Sequence, residues 1–262
     1  MLRRLAAVIL SALLLSPGWL SMTGLTLLAG FVPLLWVSAS YDASRRSWWK
    51  VFGWASLTFA LWNALTIWWI WYATPIGPPA ATLASTTMNM IAFMLFHTVS
   101  KKAPKALAYT TLITAWIATE YWYTVGDFSW PWLILGNGFS HEVWAVQWYE
   151  YTGVFGGTLW VLLSNILIFE ALRARTLRRW ISAACVVAVP ALILATALTM
   201  GLSTLFSFTT IRSAARVDLR GVVILLLLII LHFGYKHFKK KAPSPILMIV
   251  LSAGLGILFY AF

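Results

Sequence analysis

Apolar residues occupy this sequence in stretches long enough to cross a lipid bilayer, and short polar or basic junctions separate them. A spanning helix requires about 20 mostly apolar residues. Nine stretches meet or approach that length, near residues 5–20, 23–39, 51–71, 80–99, 106–124, 152–171, 180–202, 221–235 and 244–262. The first two are short and meet at Pro17-Gly18, which predicts a helical hairpin with a tight corner. The pattern predicts an all-α, polytopic transmembrane helix bundle of eight or nine spans.

Basic residues gather at alternate junctions between these stretches. Five clusters share this placement: Arg3 and Arg4; Arg45, Arg46 and Lys50; Lys101, Lys102 and Lys105; Arg173, Arg175, Arg178 and Arg179; and Lys236, Lys239, Lys240 and Lys241. The junctions at residues 72–79 and 125–151 carry no Lys or Arg. Because cytoplasmic loops are enriched in Lys and Arg, the pattern predicts a cytoplasmic N-terminus and an outer 125–151 segment. Arg212, Arg216 and Arg220 depart from it, so that junction is not a simple loop or the span count is off by one nearby.

Composition supports a membrane protein and disfavours other classes. Of 262 residues, 61% are hydrophobic and 10% are charged, whereas a soluble domain carries about a quarter charged residues. The net charge of +12 does not predict a nucleic-acid partner, because the basic residues lie in short clusters between apolar stretches. The single cysteine, Cys185, is expected to be a buried core thiol, and no cofactor or metal is expected. The start resembles a secretory signal, but without a clear small-residue cleavage site a retained first span is predicted.

The outer segment 125–151 mixes aromatic, acidic and turn residues and holds most of the candidate chemistry. Trp130-Pro131-Trp132 predicts a rigid corner, because proline fixes its own φ and pushes its predecessor toward an extended conformation. Gly136-Asn137-Gly138 permits a left-handed turn, which glycine adopts without steric cost. Two interpretations stay open here: an interfacial aromatic belt that anchors helix ends, and a lipid-binding surface.

Acidic residues are few, and three of the seven, Asp127, Glu142 and Glu150, lie in this outer segment. Glu120 falls inside the fifth predicted span, where a charge is costly, so a functional role with a partner or a water-filled cavity is indicated. The alternative is that Glu120 lies near enough to the outer interface to reach water. His141 beside Glu142 suggests an acid–base pair, although a single loop histidine is more often solvated.

Four segments, in order, resemble the membrane domain of apolipoprotein N-acyltransferase in the form found in Bacteroidetes. They are LLLSPGWLSMTGLTLLAGFVPLLW, FGWASLTFALWNALTIWWIW, AWIATEYWY and SWPWLILGNGFSHEVWAVQWYEYTGVFGGTLWVLLSN, and the likeness covers roughly residues 5–172. The resemblance implies a multi-pass protein of the bacterial inner membrane whose partners are phospholipid and lipoprotein. It also implies transfer of an acyl chain from a phospholipid to the α-amino group of a lipoprotein's diacylglyceryl-cysteine.

The resemblance implies that the chemistry belongs to a periplasmic nitrilase-like domain, which in that family carries a Glu-Lys-Cys triad and is inserted before the last span. Only about residues 203–220 lie at that place, far fewer than the roughly 250 residues of such a domain, and they contain no Cys or Lys. We therefore predict an acyltransferase-like transmembrane domain at residues 1–202, and an Arg-bearing loop with two spans of uncertain origin at residues 203–262. Three explanations stay open: a membrane subunit with a separate nitrilase-like chain, an interrupted gene product, or a relative that binds lipid or lipoprotein without catalysis.

The predicted site positions substrate and carries no covalent chemistry. Its residues are Trp130, Pro131, Trp132, Gly136, Asn137, Gln147, Glu150 and Glu120. No catalytic or metal-binding residue is predicted, so enzyme activity of the chain by itself stays open. The alternative functions are a small membrane transporter and a non-catalytic lipid-binding membrane protein. A transporter usually places ionisable or helix-breaking residues at mid-membrane, whereas here the polar residues gather near one face.

Overall fold

The computed structural model describes residues 1–125, 129–189, 206–207, 216–217 and 219–239, with isolated positions at 193, 248, 251–252 and 255. The chain divides into two compact units, Met1–Pro190 and Ala191–Phe262. The helices described in the first unit are α1 (Leu2–Leu15), α2 (Leu27–Gly30), α3 (Val32–Ala39), α4 (Arg45–Ile67), α5 (Gly77–Ser100), α6 (Lys105–Val125), α7 (Tyr149–Ala174) and α8 (Leu177–Val187). The second unit contains α9 (Leu219–Lys239) and two antiparallel two-residue strands, β1 (Phe206–Ser207) and β2 (Arg216–Val217).

Helix dominates the described residues, which confirms the predicted all-α class. Within them, four helical segments are long and apolar enough to cross a membrane: Leu2–Trp19, Arg45–Tyr72, Gly77–Ser100 and Tyr149–Ala174. Shorter apolar helical segments cover Gly24–Ala39 and Val222–Tyr235. Helix α6 has 21 residues but is not among the four, because its threonines, tyrosines and Glu120 lower its mean hydropathy. The predicted span at 180–202 is described only as far as residue 189, apart from position 193, and most of the predicted span at 244–262 lies outside the described residues.

The predicted second span is a broken helix. A 3₁₀ turn at Gly24–Thr26 leads into α2, and α3 restarts beyond Phe31 with a proline in its first turn. Proline has no N–H to donate to the preceding turn, so the helix cannot continue unbroken. Asn165 of α7 forms hydrogen bonds to the backbone at this break. Its side-chain oxygen accepts from the Phe31 N–H at 2.7 Å, and its amide donates to the Leu27 carbonyl at 2.7 Å. The break is therefore also an attachment point for α7.

Aromatic rings fill the centre of the first unit. The Phe31 and Trp116 ring centroids lie 4.9 Å apart, those of Phe59 and Trp116 5.7 Å apart, and those of Phe59 and Phe93 5.8 Å apart. All four side chains are buried. Lipid is as apolar as this core, so close packing rather than exclusion of water stabilises it in a membrane.

Helix α7 is kinked near its start and carries α8 at its end. Gly153 has φ 64° and ψ −173°, a conformation that separates the first turn from the rest of the helix. Helix α8 packs on α7, and the Trp160 indole donates to the Val186 carbonyl at 2.8 Å. Cys185 is exposed on α8, so the prediction of a buried thiol is wrong. The reason is that α8 buries only the face it turns toward α7, where Ala183 lies.

Hydrogen bonds gather four of the basic clusters at one end of the first unit, termed the basic end. Arg4 donates to the Tyr41 hydroxyl at 3.2 Å, and the Lys101 ammonium donates to the Tyr41 carbonyl at 2.7 Å. Lys105 forms an ion pair with Glu170 of α7 at 2.9 Å. These contacts connect the start of α1, the α3–α4 and α5–α6 junctions and the end of α7.

Candidate functional site

Residues 129–148, between α6 and α7, form a folded element termed the aromatic loop. It consists mainly of three short 3₁₀ helices at Pro131–Leu133, Leu135–Phe139 and Val143–Ala145. The apolar side chains that it buries are Leu133, Ile134, Leu135, Phe139 and Ala145. The Phe139 ring lies 4.9 Å from that of Trp160 in α7. The loop therefore packs as part of the helix bundle.

Glu120 joins the aromatic loop to two helices. Its carboxylate accepts hydrogen bonds from the Trp116 indole at 3.0 Å, the Leu135 backbone N–H at 2.8 Å and the Thr158 hydroxyl at 2.6 Å. Glu120 is only 4% exposed, so the alternative in which it reaches water at the interface is wrong. The structure supplies the partners that a buried acid requires, one from each of α6, the loop and α7.

The Trp130-Pro131-Trp132 corner lies against the 3₁₀ helices Pro17–Trp19 and Trp68–Tyr72, which follow α1 and α4. The indole of Trp19 donates to the Trp132 carbonyl at 2.9 Å, and the Trp69 and Trp132 ring centroids are 5.1 Å apart. The Asn137 side-chain amide donates to the Pro131 carbonyl at 2.8 Å. The Trp130 backbone N–H donates to the Tyr123 carbonyl at 3.0 Å, which attaches the corner to the end of α6.

The two glycines around Asn137 serve a different purpose from the one predicted. Gly136 and Gly138 lie in the 3₁₀ helix Leu135–Phe139, and neither has a positive φ. The left-handed turn that these residues permit therefore does not form. A β-carbon on Gly136 would overlap the Val154 carbonyl oxygen, and one on Gly24 would overlap the Gly138 carbonyl oxygen. Close approach of backbone to backbone, which only glycine permits, explains Gly136 and Gly24, whereas a β-carbon on Gly138 would overlap the Leu27 side chain.

Glu142 attaches the aromatic loop to the start of the second apolar stretch. It is buried and accepts from the Thr23 hydroxyl at 2.7 Å and the Gly24 N–H at 3.1 Å. His141 is exposed, and within the described part of the chain no hydrogen bond joins it to Glu142. The suggested acid–base pair does not form. Nothing local in the sequence indicates the true partner, because Thr23 and Glu142 are 119 positions apart.

Gln147 and Glu150 remain outside this contact set. The Gln147 amide donates locally to the Val143 carbonyl at 2.8 Å, and Glu150 is exposed in the first turn of α7. Asp127 lies outside the described residues. The structure brings together the other predicted residues, which are Glu120, Trp130, Pro131, Trp132, Gly136 and Asn137. It adds Glu142, Thr158 and Tyr149 to this set. The Tyr149 hydroxyl donates to the Gly136 carbonyl at 2.9 Å.

An apolar groove of 680 Å³ runs between α4, the 3₁₀ helix Trp68–Tyr72 and α5. Small side chains at Ala60 and Ala64 form part of its wall, and Trp68, Trp71 and Leu83 line it further. The hydroxyls of Thr82 and Thr86 are polar groups among a mainly apolar lining. Volumes of about 300–1,000 Å³ accommodate small-molecule ligands. The 3₁₀ helix that lines the groove through Trp68 and Trp71 also contacts the aromatic loop, through the rings of Trp69 and Trp132.

Comparison with known proteins gives a consistent result. The sequence model of one protein family, the apolipoprotein N-acyltransferase N-terminal domain, matches residues 8–167. The apolipoprotein N-acyltransferase of Chlorobaculum tepidum is 29% identical over 124 residues, which are 47% of this chain and 22% of the relative's length. No solved structure gives a significant match. Because this family model covers more than half of the chain, including the groove, Glu120 and the aromatic loop, the chain belongs to the family defined by the apolipoprotein N-acyltransferase N-terminal domain.

Proposed function

We propose that this chain is the lipid-holding membrane part of a system that N-acylates bacterial lipoproteins. It holds a phospholipid donor and the diacylglyceryl-cysteine of a lipoprotein, so that an acyl chain passes to the cysteine's α-amino group. The observation that carries the proposal is the apolar groove of 680 Å³ in a chain of this family.

The groove suits one acyl chain of a phospholipid. Its apolar wall matches a hydrocarbon chain, and the hydroxyls of Thr82 and Thr86 offer hydrogen bonds to an ester or glycerol oxygen. Thr86 is itself oriented by the Asn63 side-chain amide, which donates to it at 3.0 Å. Pockets of this kind combine apolar contact with a few placed polar groups that determine orientation. The Trp132 ring, 48% exposed, offers an amphipathic surface for the second lipid substrate.

The proposed orientation follows from charge. The basic end faces the cytoplasm, the aromatic loop faces the periplasm, and the chain crosses the inner membrane eight or nine times from a cytoplasmic N-terminus. Excess Lys and Arg on cytoplasmic loops support this arrangement, as does the clustering of Arg4, Lys101 and Lys105 at one end. Reporter fusions check it: a phosphatase active only in the periplasm should be active after residue 140 and inactive after residue 103.

The covalent chemistry is proposed to come from a nitrilase-like domain, with a separate chain as the candidate partner. A nucleophilic thiol requires a base within hydrogen-bond reach. Within the described residues, Cys185 has no hydrogen bond or ion pair to any Glu, Lys or His side chain. The residues of this chain therefore position the substrates, and expression of this chain alone should not restore N-acylation in cells depleted of their own enzyme.

The groove is tested by filling it. Ala64→Trp places an indole in the groove, while Ala118→Trp adds the same group to an exposed position of α6. Each variant is expressed together with a nitrilase-like domain in depleted cells, and mass spectrometry measures the N-acylated fraction of a lipoprotein. Ala64→Trp should lower the rate about tenfold, equivalent to about 1.4 kcal/mol, and Ala118→Trp less than about twofold. Undiminished N-acylation in Ala64→Trp would overturn the proposed role of the groove.

A further inference from the structure

A second cavity, of 230 Å³, lies at the basic end between α3, α5, α6 and α7. Three cationic side chains line it, those of Lys101, Lys105 and Arg173, and the side chains of Leu35 and Phe169 contribute apolar surface. The cavity differs from the apolar groove in position, size and charge. It takes no part in the function proposed above.

Lys101 is held in place by neutral hydrogen-bond acceptors. Its ammonium donates to the Ser38 carbonyl at 3.0 Å and the Tyr41 carbonyl at 2.7 Å. Burial lowers the pKa of Lys101, and the nearby Arg173 lowers it further, while Asp42 acts in the opposite direction. Two like charges therefore interact near this cavity, and an anion between them would relieve the repulsion.

Glu170 is the carboxylate in contact with two of the three cations, Lys105 and Arg173. It accepts from Lys105 at 2.9 Å and from the Tyr109 hydroxyl at 2.6 Å, and it lies 3.9 Å from Arg173. The Arg173 guanidinium is held over the Phe169 ring, 5.5 Å from its centroid. Three cations line the cavity, Glu170 contacts two of them, and Asp42 acts on Lys101 from outside the lining, so the described residues around the cavity keep a net positive charge.

We propose that this cavity binds the phosphate of an anionic headgroup. Lys and Arg N–H groups form short, charge-assisted hydrogen bonds to phosphate oxygens, and basic pockets between membrane helices bind anionic lipid headgroups. At about 30 Å³ per water-sized group, the cavity accommodates a phosphate and a few glycerol carbons but no acyl chain. The shared chemistry is a phosphate ester, supplied by an anionic phospholipid or by a soluble phosphate.

The test measures lipid binding to the purified full chain in detergent by native mass spectrometry. Phosphatidylglycerol is compared with phosphatidylcholine, which carries no net charge. Arg173→Gln should weaken phosphatidylglycerol binding about tenfold, because it removes a charge-assisted contact to the phosphate. Lys102→Gln and Arg175→Gln each remove one positive charge at the same end but do not line the cavity, and they should change binding less than about twofold.

Inorganic phosphate and glycerol 3-phosphate serve as competitors that distinguish the two sources. Displacement of the lipid at millimolar competitor supports a site for the phosphate group alone, and retention of the lipid supports a site that requires the attached acyl chains. Equal binding of the two lipids, or an equal loss in Arg173→Gln and both controls, would overturn the proposal. Lys101→Gln is a second test, with tryptophan fluorescence to verify folding, because it also removes two bonds to backbone carbonyls.

Discussion

Replacing Glu120 by alanine should weaken the attachment of the aromatic loop to α6 and α7. The Glu120 carboxylate accepts from Trp116, Leu135 and Thr158, all of them buried. A buried donor that loses its acceptor costs about 1–3 kcal/mol. The Thr158 hydroxyl can rotate to another acceptor, whereas the indole and the backbone N–H cannot. We therefore expect Glu120→Ala to lower the free energy of unfolding by about 3–5 kcal/mol.

Two further variants make the test specific. Glu120→Gln keeps an oxygen for Trp116 and Leu135, and its amide can donate to a rotated Thr158 hydroxyl, so we expect a loss of about 1 kcal/mol. Glu150→Ala removes an exposed carboxylate near the same loop and should change stability by less than about 0.5 kcal/mol.

Thermal unfolding of the full chain in detergent, followed by tryptophan fluorescence, measures these differences. At about 2–4 °C per kcal/mol, Glu120→Ala should lower the Tm by about 10 °C and Glu120→Gln by about 3 °C. A Tm for Glu120→Ala equal to that of Glu150→Ala would refute the inference that Glu120 holds the loop. A Tm for Glu120→Gln as low as that of Glu120→Ala would show that charge, rather than hydrogen-bond geometry, is responsible.

Three other predictions use the same unfolding measurement. Gly24→Ala should lower the free energy of unfolding by about 2–3 kcal/mol, because the added methyl group overlaps the backbone of the aromatic loop. Gly53→Ala, in open space within α4, should raise it by about 0.5–1 kcal/mol. Similar Tm values for the two variants would contradict the close approach of Gly24 to the loop. Asn165→Ala should cost about 2–3 kcal/mol because the Phe31 N–H loses its acceptor, and an unchanged Tm would argue against that role. Hydrogen bonds from the hydroxyls of Ser47 and Ser44 lower the pKa of Asp42 from 3.8 to about 2. The contribution of Asp42 to the stability of the fold is therefore complete above its ordinary pKa and is lost as the pH falls toward 2. Asp42→Asn should flatten the dependence of Tm on pH in that range, and an unaltered dependence would count against this role.

Helix positions followed closely from the sequence where apolar stretches end at charged residues. The predicted spans at 80–99 and 106–124 correspond to α5 and α6, with ends shifted by three residues or fewer. The start of α4 was missed by six residues, because the helix begins among basic residues at Arg45. There the Ser44 hydroxyl caps the helix by accepting from the Ser47 N–H, so polar residues can begin the helix.

The structure brings together six of the eight predicted site residues and adds partners that the sequence did not indicate. The sequence singled out Glu120 because a charge inside an apolar stretch is costly, and the aromatic corner because proline and tryptophan are conspicuous together. It could not show that Glu142 binds Thr23, or that Gly138 meets Gly24. It also misassigned Cys185, since burial depends on which face of α8 another helix covers.

The sequence by itself determined the membrane character, the helical class and the family of this protein. These properties depend on local composition and on hydrogen bonds between residues a few positions apart, so a linear pattern records them. Only the tertiary structure decided the partners of Glu120 and Glu142, the glycine contacts of the aromatic loop, the apolar groove and the cationic cavity. Each of these joins residues from separate helices, and such contacts exist only once the whole bundle has packed.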